Sequence, residues 1–409
     1  MSDNHLQVDV AIIGAGPAGL AAATELRKRG IKSIIILERE SEAGGIPRHC
    51  GHPPFGMREF YRVLTGPKYA ARLVEQATNA GAKILTRHSV TCILPHGELE
   101  VATPNGMINI AAKRVLIATG VREKPRSARL VTGTRPQGIT TTGALQSMIY
   151  LKGLIPFKRP VIVGTELVSF SAIMTAFKGG IKPVAMIEKN NRITARHPCE
   201  LIASFKHVPI YFNTELETIV GTSKVEGVNV THNGESRMID CDGVIFTGNF
   251  TPEVSLARLS HLKIDPASGG LEIDQFARCS DPAYFAAGNI LRPVETAGWS
   301  YREGRTVGAL IADDLENNLP TNEPEIFCKC EAPIKLVVPQ RIIPGQSGGF
   351  NKLQLRVTRA VKGKMIIEDD HGIIWQKNMS VIPERRILIP LSSLDLKEGT
   401  KILKFYFKE

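Results

Sequence analysis

The chain has 409 residues, long enough for two or three domains at ~150 residues each. Its 43% hydrophobic and 22% charged residues are ordinary for a globular protein and exclude a disordered or collagen-like chain. No block of five like charges occurs, and basic residues do not alternate with aromatic ones, so we predict no nucleic-acid binding. The net charge of +11 leaves open an acidic protein partner, a peripheral membrane contact, or scattered surface Lys and Arg.

The first residues and the cysteines indicate the compartment. Residues 1–8 carry neither the basic segment nor the apolar core of a signal peptide, and no run of ~18 apolar residues predicts a transmembrane span. We therefore expect a cytoplasmic protein. The seven cysteines are an odd number, which argues against a closed set of disulfides and favours free thiols.

The N-terminus predicts a dinucleotide-binding βαβ unit. An apolar strand, Val8–Ile13, runs into a glycine-rich turn and then into an Ala-rich helix. In this GxGxxG pattern Gly14 makes the tight turn, Gly16 admits a pyrophosphate and Gly19 allows close helix packing. A second strand ends in Glu38, about twenty residues further on, where a carboxylate can bind a ribose hydroxyl.

Three further segments carry a family resemblance. Glu38 and the pair Gly44-Gly45 match the E-x(5)-GG pattern of flavoproteins with two dinucleotide-binding domains. Arg114–Gly120 looks like the strand and ATG turn that close an FAD domain, and Asp281–Asn289 is similar to the later strand-plus-GD signature at the flavin ribityl chain. Asn289 stands where that family usually has Asp.

Together these motifs resemble the pyridine nucleotide–disulfide oxidoreductase superfamily over roughly residues 7–318. The resemblance implies bound FAD and hydride or electron transfer through the flavin. It also implies that the helix entered through residues 295–305 points its N-terminal dipole at the flavin pyrimidine edge. The candidate cofactor-binding residues are Gly14, Gly16, Pro17, Ala18, Gly19, Glu38, Arg39, Gly45, Arg48, Gly120, Gly288 and Asn289.

A narrower resemblance lies in residues 44–56 (GGIPRHCGHPPFG) and 64–67 (LTGP). These segments look like the FAD subunits of heteromeric dehydrogenases that act on glycerol 3-phosphate, opines or hydroxyproline, and like the flavin subunit of hydrogen cyanide synthase. The resemblance implies a small-molecule substrate and a partner flavoprotein or dehydrogenase subunit.

A second βαβ pattern occupies residues 159–188. Strands are predicted at 160–163 and 184–187, with a helix at 169–177, but only Gly164 of the glycine fingerprint is present. Glu166 stands where a pyrophosphate would approach, and its charge would repel that group. Either NAD(P)H binds in a shifted pose with Glu188 on a ribose, or the domain is a scaffold that binds nucleotide poorly; we favour the second interpretation.

Cys50 is the candidate catalytic residue. Single-cysteine members of the superfamily have a redox thiol at a similar offset, and the flanking Arg48, His49 and His52 would lower a thiol pKa. A paired CxxxxC is absent. The alternative is that Cys50 is a small, semi-apolar residue lining the flavin pocket.

The tail after residue 318 predicts a linker at 317–325 and then short strands. Relatives open a [2Fe–2S] module with a Cys-x-Cys like Cys328 and Cys330, but no cysteine follows here, so we predict no metal held by this chain alone. The expected strands lie at 335–338, 353–358, 364–368, 373–376, 387–391 and 402–407. They suggest a small sandwich or barrel that serves as a docking surface.

The sequence therefore predicts an α/β protein with two Rossmann-like domains, one inserted in the other, and a small C-terminal antiparallel β domain. The FAD-binding domain comprises residues 1–120 and 240–318, the NAD(P)-binding-like domain 121–239 and the β domain 319–409. The predicted function is FAD-dependent electron transfer within a heteromeric dehydrogenase, of which this chain is one component. A stand-alone NADH-dependent flavin reductase and a non-catalytic FAD-stabilised scaffold remain alternatives.

Overall fold

The computed structural model describes residues 5–320, 325–346 and 348–409. It separates into two compact units. The first unit comprises Met1–Gly45, Ala70–Val121 and Pro252–Glu409, and the second comprises Ile46–Tyr69 and Arg122–Thr251. Part of the predicted linker, residues 321–324, lies outside the described residues, as do residues 1–4. The three-domain boundaries predicted from the sequence remain a prediction.

The first unit is built on a mostly parallel sheet in the order β3-β2-β1-β6-β5-β4. The elements of this stretch are β1 (His5–Ile13), α1 (Pro17–Lys28), β2 (Ile34–Glu38), α2 (Gly66–Asn79), β3 (Lys83–Thr86), β4 (Ser89–Ile93), β5 (Glu98–Thr103) and β6 (Gly106–Ile117). Strand β1 pairs in parallel with β2 on one side and β6 on the other. Because β2 is buried along its whole length, its apolar run IIIL is the pattern that a central parallel strand requires.

The second unit repeats this plan around a five-stranded parallel sheet in the order β12-β11-β10-β16-β9. Its helices are α3 (Thr142–Gln146), which continues as a π-helical turn over Ser147–Leu151, α4 (Leu167–Lys178) and α5 (Glu200–Phe205). The strands of the parallel sheet are β9 (Ile139–Thr141), β10 (Pro160–Val163), β11 (Ala185–Ile187), β12 (Ile210–Tyr211) and β16 (Gly243–Phe246). The predicted strand–helix–strand at 160–187 is present, with its ends shifted by one or two residues.

A smaller sheet in the second unit has the order β15-β14-β13-β8. These strands are β8 (Thr132–Gly133), β13 (Thr214–Val220), β14 (Gly227–His232) and β15 (Glu235–Asp240). The chain passes between the units through β7 (Val121–Glu123) and β17 (Phe250–Pro252), which pair with each other.

The chain then returns to the first unit through α6 (Ser255–Arg258), β18 (Tyr284–Ala286) and α7 (Ala297–Leu315). Strand β18 pairs in parallel with β6 and so completes the sheet. Helix α7 begins two residues later than the helix predicted from Glu295 and runs ten residues beyond Arg305. Among the described helices none is both long and apolar enough for a bilayer crossing.

The C-terminal segment forms two sheets over a shared apolar core. Its strands are β19 (Ile326–Cys330), β20 (Ile334–Val338), β21 (Arg341–Ile342), β22 (Lys352–Val357), β23 (Val361–Asp369), β24 (Gly372–Val381), β25 (Ile387–Pro390) and β26 (Ile402–Lys408). The sheets have the orders β21-β19-β26-β23-β24 and β20-β22-β25. Five of the pairings are antiparallel and one, β19 with β26, is parallel.

Candidate functional site

The candidate nucleotide site of the first unit lies at the carboxyl ends of β2, β1 and β6, three neighbouring parallel strands. Gly14 has a φ of +105°, and a Cβ there would lie 2.7 Å from the carbonyl oxygen of Ala118. A Cβ on Gly19 would lie 2.1 Å from the carbonyl oxygen of Gly14. Both positions therefore need glycine for the turn to close, as the fingerprint predicts.

Gly16 differs from these two glycines because open space surrounds it. A Cβ on Gly16 would meet no atom within 4 Å, while a Cβ on Gly45 would lie 2.9 Å from Gly16 Cα. Helix α1 starts directly after Gly16 with Pro17 in its first turn, no acidic residue there and no side-chain cap. The helix thus presents free N–H groups at the open face of the turn, which is the arrangement that binds a diphosphate.

Glu38 is buried at the end of β2 and is fixed by two backbone donors. The Ala15 N–H donates to its Oε2 at 3.0 Å, and the Glu40 N–H donates to its Oε1 at 3.0 Å. Each carboxylate oxygen keeps a lone pair with which it can accept a ribose hydroxyl. Arg39, the next residue, is exposed.

The remaining candidates of the first unit sit on the neighbouring strand ends. Gly120 follows β6 with open space at its Cα, and its carbonyl accepts the Glu253 N–H at 2.9 Å. Gly288 follows β18, and a Cβ there would lie 3.0 Å from Ala18 Cβ. The structure thus brings together in one unit every predicted FAD-site residue except Arg48, which belongs to the second unit, as does Cys50.

The side-chain amide of Asn289 forms two hydrogen bonds with the backbone of Glu295 that the sequence did not indicate. Its Oδ1 accepts the Glu295 N–H at 2.7 Å and its Nδ2 donates to the Glu295 carbonyl at 3.1 Å. An Asp in this position could accept the Glu295 N–H but has no N–H to donate to the Glu295 carbonyl, so this two-bond bridge requires the amide. One further N–H and one lone pair of Asn289 are left for a ribityl hydroxyl.

Sequence reasoning missed the contacts that hold α7 against α1. A Cβ on Gly304 would lie 2.1 Å from the Ala18 carbonyl, and one on Gly308 would lie 2.7 Å from the Ala22 carbonyl. The signal was available as two small-residue pairs, each spaced by four, which let helices approach closely. Glu303 was also missed; it accepts the Gly288 N–H at 2.8 Å and pairs with the buried Arg292.

The corresponding position in the second unit is filled by the chain itself. A Cβ on Gly164 would lie 2.4 Å from Glu166 Oε2, and one on Gly248 would lie 2.4 Å from Glu166 Oε1. The Thr247 and Ser169 hydroxyls donate to Glu166 Oε2 at 3.0 and 3.1 Å. The carboxyl group therefore lies between the turns that follow β10 and β16, where a dinucleotide diphosphate would bind.

Burial also changes the acidity of this carboxyl group. The pKa of Glu166 is raised by desolvation, with a smaller contribution from the negative charge of Glu188. The hydroxyl bonds from Thr247 and Ser169 oppose the shift without cancelling it. The residues present do not fit NAD(P)H, because Glu166 occupies the space and its carboxylate form would repel the diphosphate.

Glu188 accepts more hydrogen bonds than Glu38 does. Its Oε2 accepts the hydroxyls of Thr165 at 2.5 Å and Thr194 at 3.2 Å, and its Oε1 accepts the N–H of Asn190 at 3.0 Å. The Asn190 side-chain amide adds a further bond at 2.6 Å to that oxygen. The ribose contact suggested for Glu188 would have to displace bonds already made.

The expectation of an acidic Cys50 thiol is wrong. Cys50 is 8% exposed, and burial together with the charge of Glu123 raises the pKa of its thiol to about 12. Burial also lowers the pKa of the neighbouring His52, which disfavours its cationic form. Cys50 is therefore a neutral thiol at pH 7, and its catalytic role remains a prediction.

The thiol begins a directed hydrogen-bond chain within the second unit. Cys50 Sγ donates to Gln146 Oε1 at 3.4 Å, and Gln146 Nε2 donates to Ser171 Oγ at 2.7 Å. Ser171 Oγ lies 2.6 Å from His52 Nε2, and His52 Nδ1 lies 3.0 Å from the Pro53 carbonyl, which can only accept. Nδ1 thus carries the proton, Nε2 accepts, and every donor points away from Cys50.

Cys328 and Cys330 lie two apart on β19, a strand that the sequence did not predict. Both pack against the apolar core of the C-terminal segment, and burial raises the pKa of each thiol. Among the described residues no group of three or more His, Cys, Asp or Glu side chains is arranged to hold a metal ion. Both cysteines are free thiols that pack against apolar side chains.

Comparison with known proteins agrees with this geometry. The family model for pyridine nucleotide-disulphide oxidoreductases matches residues 8–304. One of the subunits of the opine oxidase of Rhizobium meliloti is 27% identical over 202 residues, which cover 49% of this chain and 42% of that protein. The soluble pyridine nucleotide transhydrogenase of Pseudomonas entomophila is 23% identical over 342 residues, covering 75% and 71% of the two chains.

Among solved structures, the thioredoxin reductase of T. acidophilum is similar with a TM-score of 0.64 and 25% identity. The match covers 75% of this chain and 98% of that one. The resemblance expected from the glycine motifs is confirmed. The chain belongs to the pyridine nucleotide-disulphide oxidoreductase family of FAD-dependent enzymes.

Proposed function

We propose that this chain is the flavin-carrying subunit of a heteromeric dehydrogenase. It binds FAD in its first unit, oxidises a small molecule and delivers the electrons to a partner protein. The observation that carries the proposal is the contrast between two matching turns: the space at Gly16 is open, whereas Glu166 fills the same position of the second turn.

FAD is the group that the residues of the first turn fit. The α1 N-terminus would hold the diphosphate, Glu38 a ribose of the adenosine half, and Gly120, Gly288 and Asn289 the ribityl side. When bound, the flavin supplies the two-electron chemistry, and the protein supplies position and electrostatics. The same turn is shaped, without added charge, by Pro17 and Ala18 at the start of α1 and by Gly45, which packs close to Gly16.

The position of Glu166, which fills the second turn where a nicotinamide nucleotide would bind, supports the proposal of a heteromeric assembly. Because the second turn does not admit that nucleotide, this chain exchanges electrons with other molecules. The similarity to a protein named as a component of an opine oxidase supports a partner chain. The net charge of +11 favours an acidic partner surface.

The test is to purify the chain with whatever binds it, then measure flavin content, partner masses and anaerobic spectra during NADH and NADPH addition. We expect about one FAD per chain, a co-purifying partner and no bleaching of the flavin by either nucleotide. Bleaching at stoichiometric NADH would instead assign a stand-alone reductase. A flavin that no donor reduces, even with the partner present, would assign a scaffold, and a colourless protein that takes up no FAD would end the proposal.

A matched pair of variants tests the role of Glu166. Glu166→Gly removes the carboxyl group and leaves Ser169 and Thr247 bonded to each other at 2.7 Å, so the unit keeps its local hydrogen bonds. We expect saturable NADH binding in Glu166→Gly and none in Glu166→Gln, which keeps the bulk of the side chain. Equal binding in the wild type and both variants would contradict the filled-site argument.

A further inference from the structure

The C-terminal β segment holds the loop between β18 and α7, which is the loop that the proposed function places at the flavin. Glu295 in this loop is almost fully buried, with a side chain 7% exposed. Its Oε1 accepts from Arg356 Nη2 at 2.8 Å and lies 3.3 Å from Arg386 Nε. Arg356 Nη2 also lies 3.2 Å from the Val294 carbonyl.

The two arginines are placed by neighbouring strands. Arg356 lies on β22 and Arg386 immediately precedes β25, and the register pairs Leu355 with Ile387 across these antiparallel strands. Arg386 is further fixed by a bond from Nη1 to Gln354 Oε1 at 3.1 Å, and Arg356 by one from Nη1 to the Pro383 carbonyl at 3.2 Å. Both guanidinium groups thus reach Glu295 from neighbouring strands of one sheet.

Arg386 also reaches the first turn of α7. The Arg386 guanidinium carbon lies 3.9 Å above the centroid of the Trp299 ring, within the range of a strong cation–π contact. At the other end of the loop, Glu295 is bridged through its backbone to Asn289, and Arg292 pairs with Glu303, which caps the Gly288 N–H. The loop is therefore fixed at both ends by charged groups.

We propose that Arg356, Arg386 and Glu295 form a clamp through which the C-terminal β segment positions the flavin-binding loop and sets the flavin potential. This inference rests on the proposed function. Counting Arg292 and Glu303, the cluster has three arginines and two carboxylates and so a formal excess of one positive charge. A positive excess stabilises an anionic reduced flavin, so we expect these charges to raise the flavin midpoint potential. We expect the packing of the loop to set the affinity for FAD.

The charges give opposite expectations for two variants. Arg386→Met removes a positive charge and should lower the flavin midpoint potential, whereas Glu295→Gln removes a negative charge and should raise it. A tenfold change in the relative affinity for reduced and oxidised flavin corresponds to about 30 mV for a two-electron couple. Because both variants loosen the loop, we expect each to bind FAD about tenfold more weakly or worse.

The experiment is spectroelectrochemical titration and FAD-binding measurement on the full chain with its partner, with Arg359→Met as the control. Arg359 pairs with Glu409 on the exposed surface of the same segment, so its loss should change neither value. Far-UV circular dichroism and the melting temperature show whether each variant folds. Shifts of opposite sign support the clamp.

Shifts of the same sign, or potentials and affinities equal to wild type in both variants, would overturn it. If Arg386→Met fails to fold, the near-isosteric Glu295→Gln still decides the matter, since an unchanged potential there refutes the clamp. A wild-type chain without FAD would instead refute the proposed function, so the two failures are distinguishable.

Discussion

We predict that replacement of Gly16 by Ala weakens FAD binding without destabilising the FAD-free protein. The backbone at Gly16 has φ of −85° and ψ of −175°, an extended conformation that Ala adopts without strain. The added methyl group meets no atom within 4 Å in the protein itself. Because Ala also restricts the unfolded chain more than Gly does, the FAD-free variant should be as stable as wild type or more stable by about 0.4–1 kcal/mol.

FAD binding should respond in the opposite way. The methyl group would stand in the open space in which a diphosphate approaches the α1 N-terminus, so at least one hydrogen bond to a charged phosphate is lost. Such a bond contributes about 1.5–3 kcal/mol, which corresponds to a roughly 10- to 150-fold larger dissociation constant at about 1.4 kcal/mol per factor of ten.

The assay is urea unfolding of the FAD-free protein together with titration of FAD by fluorescence quenching. Gly19→Ala is the contrasting variant, because its Cβ would lie 2.1 Å from the Gly14 carbonyl oxygen and must displace α1. That overpacking should cost about 1–3 kcal/mol of stability even without FAD. If Gly16→Ala binds FAD with wild-type affinity, the turn around Gly16 is not the diphosphate site.

Thiol reactivity, pH dependence and metal content give three further predictions. Alkylation of Cys50, followed by mass spectrometry, should be slow at pH 7.5 and accelerate up to the highest pH at which the protein stays folded, because its pKa is about 12; a plateau below pH 9 would contradict this. Because the folded-state pKa of Glu166 is raised, the folded protein binds this proton more tightly than the unfolded chain, so its contribution to stability is lost as pH rises above about 4.5. When the free energy of unfolding is measured with urea across this pH range, it should depend less on pH in Glu166→Gln than in the wild type. An unchanged pH dependence would show that the Glu166 carboxyl is solvated. Finally, the double variant Cys328→Ala/Cys330→Ala should have the same flavin spectrum as the wild type. Metal analysis should find no stoichiometric iron in either protein.

Local patterns predicted most of the fold. The apolar run before Gly14, the glycine spacing and the carboxylate at Glu38 each depend on residues near one another in sequence, and the βαβ geometry follows from them directly. The second βαβ unit followed from the same periodicity even with a defective fingerprint. Strand β19 was not predicted, because its Cys-x-Cys was interpreted as a metal-ligand motif. Alternate residues along β19 nevertheless pack against the core, as in a strand.

The errors concern side chains whose surroundings come from distant segments. Sequence neighbours suggested that histidines would lower the pKa of Cys50, but burial and Glu123, which lies 73 positions away, dominate. The bridge from the Asn289 amide to the backbone of Glu295 was likewise not indicated by any local pattern, and its contact with the ribityl chain stays a prediction. The clamp on Glu295 joins residues 61 and 91 positions apart, and no local pattern reports such pairs.

Comparison of the two βαβ units indicates which residue of the glycine fingerprint distinguishes a turn with open space from a turn that is filled. Positions 14, 15, 16 and 38 of the first correspond to 164, 165, 166 and 188 of the second. Glu38, the last residue of β2, accepts from the backbone N–H groups of Ala15 and Glu40, and Glu188, which directly follows β11, accepts from the Thr165 hydroxyl and the Asn190 N–H. Each carboxylate therefore ties its turn to the sheet whether or not a nucleotide binds, and its presence is weak support for a ribose contact. What differs is the third turn position: open space surrounds Gly16, whereas the Glu166 carboxyl lies against Gly164 and Gly248, so we predict that only the first crevice binds a diphosphate.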